Sequence, residues 1–98
     1  MRVVRLPEMS RYGEYASSNH AWHALRFDVG NLTIWFSYTT PVAFQVHGHD
    51  RVICENVWSP TTGKHLNWIN PDHQLRVTPA EFQRQWGEQV SPLVELEL

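Results

Sequence analysis

What this 98-residue sequence lacks narrows its chemistry first. It has one cysteine, Cys54, so no disulfide closes within the chain, and a reducing cytoplasm is the expected setting. No apolar run approaches the roughly 20 residues of a membrane-spanning helix, so no membrane partner is expected. Met1 to Pro7 carries no apolar stretch of the signal-peptide kind. Positive charge is scarce and scattered. Eight bases stand against ten acids, for a net charge of −2, and Lys64 is the single lysine. No basic stripe forms, which argues against duplex nucleic acid as a partner.

Recognisable catalytic loops are missing as well. Gly63-Lys64 resembles the end of a phosphate-binding loop, but Trp58 stands where that loop needs its first glycine. His65 stands where it needs a hydroxyl. No serine has the glycine-flanked context of a nucleophile elbow, and Cys54 lies in an apolar stretch where a thiol is inert. No enzymatic activity and no cofactor are expected.

Aromatic residues are plentiful: five Trp, four Phe and three Tyr. Each large ring buries about 150–250 Å², so they supply much of a single-domain core. Some remain for a binding surface.

The strongest local pattern is a hairpin. His23, Leu25, Phe27 and Val29 alternate with polar residues, and Leu32, Ile34, Phe36 and Tyr38 alternate again after Gly30-Asn31. Two such runs around a Gly-Asn pair predict a type I′ or II′ turn. The turn fixes the register: Val29 opposite Leu32, Phe27 opposite Ile34, Leu25 opposite Phe36, His23 opposite Tyr38. The other face pairs Asp28 with Thr33, Arg26 with Trp35 and Ala24 with Ser37. Arg26 over Trp35 is a cross-strand cation–π pair.

The remaining elements are fainter. Arg2 to Leu6 reads as a short strand and Pro7 to Asn19 as a loop anchored by Tyr12 and Tyr15. Thr40-Pro41 bends or ends the second hairpin strand, and Val42, Phe44 and Val46 form a third. A three-residue loop, Gly48 to Asp50, then pairs Val46 with Val52 and Phe44 with Cys54 in a fourth strand reaching Val57. Trp58 to His73 reads as irregular, and Gln74 to Val77 as a brief strand. Thr78-Pro79-Ala80-Glu81 is a helix start: a capping hydroxyl, a first-turn proline and a capping-box glutamate. Phe82 and Trp86 lie on one face of that helix, Gly87 weakens it, and Ser91-Pro92 ends it. Val94, Leu96 and Leu98 allow a terminal strand. The fold class is therefore α+β in one domain, with an antiparallel sheet of about four to five strands and one C-terminal helix packed on one face.

Six histidines make a metal site worth weighing. His47-Gly48-His49 puts two imidazoles in one turn, and His65 is a third candidate ligand. A polar hairpin tip explains the same residues, and no metal is expected. His20 and His23 have helical spacing, but the segment leads into a strand, so His23 reads as a hydrogen-bonded core residue. Trp35 carries more weight. It lies opposite the hairpin's core set, so its face needs a cover: the chain's own Trp58–Trp68 segment, a second protomer, or a protein partner. The candidate binding residues are accordingly Trp35, Arg26, Trp58, Lys64, His65 and Trp68. In the alternative reading, Trp58 or Trp68 stacks a base while Lys64 holds a phosphate of a nucleotide or single-stranded nucleic acid.

Three stretches carry a family likeness: Tyr12-Gly13-Glu14-Tyr15, Phe36 to Phe44, and Trp58 to Ile69. Together they resemble a small uncharacterised domain found in phage, plasmid and bacterial genomes. Where that domain tends to have a glycine-containing acidic turn after its Trp-Ile pair, this chain has Asn70-Pro71-Asp72. The resemblance implies no activity and no catalytic residue. It implies a mobile-element setting in a host cytoplasm, where small proteins serve as accessory factors acting on a host or phage protein, for example as inhibitors.

Overall fold

The computed structural model describes residues 8–15 and 22–93. Six strands form one sheet in sequence order: β1 (Glu8–Arg11), β2 (Ala24–Val29), β3 (Leu32–Ser37), β4 (Thr40–Val46), β5 (Val52–Cys54) and β6 (Arg76–Val77). All neighbours are antiparallel except β5 and β6, which are parallel. Two helices, α1 (Pro60–Ile69) and α2 (Pro79–Gln85), lie on opposite faces. The class is α+β as expected, with a second helix that the alternation pattern did not suggest.

The β2–β3 hairpin has the predicted register throughout, from Val29 opposite Leu32 to Ala24 opposite Ser37. Gly30 has φ 54° and Asn31 has negative φ, which is the type II′ arrangement with glycine first. Beyond the last pair, the Tyr38 amide donates to the His23 carbonyl at 2.8 Å, and the two rings stack at 4.2 Å.

The β3–β4 connection is a second tight turn. Ser37 pairs with Thr40, leaving Tyr38-Thr39 as the two turn residues. Tyr38 takes φ 59°, a position where glycine is usual and a bulky side chain is strained. One residue later the register shifts: Trp35 faces Ala43 but Phe36 faces Pro41, so Val42 bulges out of the ladder. The bulge absorbs a proline that has no N–H to give. It also sends both Val42 and Ala43 into the core on the α1 side.

Three expectations need correction. Glu8–Arg11 was assigned to a loop, yet it is an edge strand paired with β2 from Glu8–Asp28 to Arg11–Leu25. All four of its residues are exposed, so it is held by its backbone and shows no apolar alternation. The proposed Arg2–Leu6 and Val94–Leu98 strands lie outside the described residues. Second, β4 and β5 pair Phe44 with Val52, not Val46 with Val52. The shift is two residues, so each side chain keeps its face. It lets Arg51 lie over the Trp35 ring, 4.5 Å from its centroid, and donate to the Ile69 carbonyl at 2.8 Å. Third, Pro60–Ile69 is a helix and not irregular chain. Ser59 caps it by accepting from the Thr62 amide at 3.2 Å, and Pro60 takes the first turn. Gly63 fits because the Asn56 side chain would lie 3.1 Å from any added Cβ.

The sheet is thus covered on both sides. On one, Val29, Leu32, Ile34, Phe44, Val52 and Cys54 pack under Phe82 and Val90. Phe44 meets the edges of Phe82 at 5.4 Å and Trp86 at 5.6 Å. On the other, Trp35, Val42, Ala43 and Ile53 pack under Leu66 and Ile69. Each buried aliphatic side chain contributes about 1.5–3 kcal/mol. At the start of α2, Thr78 accepts from the Glu81 amide as predicted. The Glu81 carboxylate accepts instead from Arg84 and Gln85, and these bonds hold it down at a pKa of about 2. After α2 a π turn spans Trp86–Val90, including Gly87, and helical backbone continues through Leu93, past the expected stop at Ser91-Pro92.

The strain at Tyr38 can be isolated by comparing two truncations that both remove the ring. Tyr38→Gly is expected to be about 1 kcal/mol more stable than Tyr38→Ala in urea unfolding, because only alanine keeps the Cβ that disfavours this conformation. Equal stability would mean that the backbone relaxes without cost.

Candidate functional site

The three stretches that carry the family likeness meet along α1. Gly13 makes the first approach. It has φ 81°, and an added Cβ would lie 2.6 Å from Trp68 Cγ and from the Tyr15 hydroxyl. With no side chain there, Tyr12 and Tyr15 both turn towards α1. The Tyr12 hydroxyl donates to the Phe36 carbonyl at 2.8 Å. Burial drives the Tyr12 pKa above the ordinary tyrosine range, helped by Tyr15. Burial also pushes Tyr15 up to about 12. Both therefore act as neutral phenols.

His65 stands at the centre, with none of its surface exposed. Tyr15 meets it edge-on at 5.2 Å, Tyr12 at 6.2 Å, and Tyr38 tilts against it at 6.2 Å. Its Nδ1 lies 2.7 Å from the Ser37 hydroxyl, and Ser37 lies 2.9 Å from the Thr62 hydroxyl. Ser59 donates to Thr62 at 3.3 Å. Four polar side chains therefore run in one hydrogen-bonded line from the helix cap into the core. A buried line of this kind is tolerated because its members satisfy one another.

Three members of this line, Ser59, Thr62 and Ser37, form the polar floor of a cavity of about 400 Å³, whose lining also includes Tyr38, Val57 and Trp58. A second cavity, of about 260 Å³, lies on the α2 side of the same edge, between Pro41, Cys54, Phe82 and Trp86. Trp58 and Thr40 border both cavities. Asn56 fixes the Trp58 segment, accepting from the Trp58 amide at 3.0 Å and donating to the Ser59 carbonyl at 2.8 Å. Trp58 is 43% exposed, Val57 56% and Tyr38 40%, so an exposed apolar rim borders the larger cavity. Burial and Glu55 raise the Cys54 thiol to about 11, which leaves it an unreactive wall.

The other sequence candidates scatter. Trp35 is 5% exposed under Leu66 and Ile69, so the chain's own helix is its cover and it offers no face to a partner. Arg26 lies 5.5 Å from the Trp35 ring centroid and pairs with Asp28 at 3.0 Å. His65 is a core residue and not a surface ligand, because its imidazole is engaged by Ser37. His47 and His49 are exposed at the β4–β5 connection, where His47 borders an open polar depression with Thr33 and Gln45. The three histidines do not assemble, and among the described residues no group of three or more His, Cys, Asp or Glu is placed to hold a metal. Lys64 and Trp68 are exposed one turn apart on α1. Trp58 precedes the α1 cap Ser59, whereas Trp68 lies in the last turn of α1. Sequence reasoning passed over Ser37 and Thr62.

A model of a family of unknown function (DUF8033) matches residues 8–84. No curated protein and no solved structure matches the chain significantly. No helix among the described residues is long and apolar enough to cross a membrane.

Removing the Ser37 hydroxyl takes one hydrogen bond each from His65 Nδ1 and from Thr62 in the core. Ser37→Ala is expected to destabilise the protein by about 1–3 kcal/mol in urea unfolding. A loss below a few tenths of a kilocalorie would show that the line is not a structural tie.

Proposed function

The chain belongs to this family of unknown function, and we propose that it is a non-enzymatic module that binds a protein partner through its Trp58 edge. One observation carries this reading: Tyr38, Val57 and Trp58 form an exposed apolar rim on one cavity, and Trp58 also borders the adjoining one. Aromatic anchors next to pockets are where binding energy concentrates at protein interfaces. Asn56 and the tight β3–β4 turn hold the rim in place, which limits the entropy lost on association. The small size and the likeness to a phage and plasmid domain support an accessory role, acting in a host cytoplasm and inhibiting a host system. A second copy of the chain is an alternative occupant of the same edge.

A second reading has its own support. Lys64 and Trp68 share an exposed stripe of α1, which suits a base and its phosphate in a nucleotide or single strand.

Capture from host lysate with matched variants separates these readings. A protein retained by wild type and by Trp22→Ala, but weakened at least about tenfold by Trp58→Ala, is the expected outcome. Equal retention by Trp58→Ala, or nothing above background with folded bait, would overturn the protein-binding reading. A salt-sensitive quench of tryptophan fluorescence by single-stranded oligonucleotide, abolished by Lys64→Ala, would favour the second.

A further inference from the structure

We infer that the cavity beneath Trp58 takes a phenol ring, and that its occupant is a tyrosine side chain of the partner. This inference rests on the protein-binding reading and names the group that enters.

The walls and the floor of the cavity ask for different things. Tyr38, Val57 and Trp58 supply apolar and aromatic walls, which suit a flat ring. The floor is polar and ordered. Ser59 accepts from the Thr62 amide at 3.2 Å and gives its proton to the Thr62 hydroxyl at 3.3 Å. We take the order that continues from the Ser59 donation: Thr62 donates to Ser37 at 2.9 Å, and Ser37 donates to His65 Nδ1 at 2.7 Å, with His65 in the tautomer whose Nδ1 accepts. In that direction each hydroxyl proton is used once, within the line. What the floor keeps for an incoming group is oxygen lone pairs. The matching ligand is a ring with a hydrogen-bond donor at its far end. A phenol places its O–H end-on to such a floor. Indole carries its N–H on the side of the ring, and phenylalanine has no donor. A toluene-like ring would strip water from the floor hydroxyls without replacing their hydrogen bonds. At about 400 Å³ the space admits one such ring with room for its stem, at the small end of ligand pockets.

Three fragments read the floor directly: p-cresol, 4-methylanisole and toluene. Each is titrated into isotope-labelled full-length protein, following the Trp58 indole and the Ser37 and Thr62 amides by NMR. The expected result is p-cresol binding about three- to tenfold tighter than the other two, the gap that one hydrogen bond supplies. Thr62→Val and Ser37→Ala should each erase that preference while leaving toluene binding in place. Where Ser37→Ala does not fold, Thr62→Val decides. Equal affinity for p-cresol and 4-methylanisole would mean that the floor donates, and would overturn the inference. Equal affinity for all three, no binding, or shifts unaffected by Thr62→Val would overturn it too. Partner capture that depends on Trp58 while p-cresol fails would sink this inference alone. Fragment binding with no captured partner would sink the protein-binding reading and leave the cavity's chemistry intact.

Discussion

Everything else in this molecule depends on how Trp35 is buried. It sits mid-strand on the face opposite the hairpin's main core, and a bare indole there would leave a large apolar patch in water. The chain covers it from three directions. Leu66 and Ile69 come from α1, Tyr12 packs from the segment after β1, and Arg26 and Arg51 lay their guanidinium groups near the ring. Arg51 also ties the sheet to the last turn of α1 through the Ile69 carbonyl. Burial and the neighbouring Arg26 charge lower the Arg51 pKa. With this face closed by the chain itself, the sheet needs no second protein to complete its core.

The far end of α1 is fixed by different chemistry. There the Ser59, Thr62, Ser37 and His65 line replaces apolar packing, and three tyrosines surround its innermost member. The line is both a tie and a floor. Its inner end anchors the helix, and its outer hydroxyls line the cavity that Trp58 overhangs. Tyr38 serves both ends as well. It stacks on His23, tilts against His65, and borders the cavity while holding an unfavourable backbone angle. A side chain kept at a position suited to glycine points to a role for its ring, and here that ring forms part of the exposed rim.

The sequence was most readable where periodicity and turn chemistry agree. The Gly30-Asn31 hairpin allowed one register, because a slip would have put Arg26 and Asp28 into the core. Thr78-Pro79 marked α2 for the same reason: cap and proline coincide. Ser59-Pro60 carries the same mark, but Gly63 and a short apolar island hid the ten-residue helix that follows. The β4–β5 register was ambiguous in principle, since a two-residue shift changes no side chain's face. Edge strand β1 shows no pattern because none of its side chains is buried. Among site residues, Trp58 was legible as a flanking aromatic. His65 stood out as a candidate, but its buried role was not legible, because its partner Ser37 lies 28 residues away and only the fold brings them together.

The central claim is that α1 seals Trp35, and the proposal that a partner meets the Trp58 edge rests on it. Labelling the five tryptophans with 5-fluorotryptophan tests it in one spectrum. Each resonance is assigned by single Trp→Phe variants, and its shift is compared in H₂O and D₂O. The account predicts clear solvent isotope shifts for Trp22, Trp58 and Trp68 and none for Trp35. A Trp35 shift as large as that of Trp58 would contradict it, and would return the uncovered sheet face to the position of leading interaction surface.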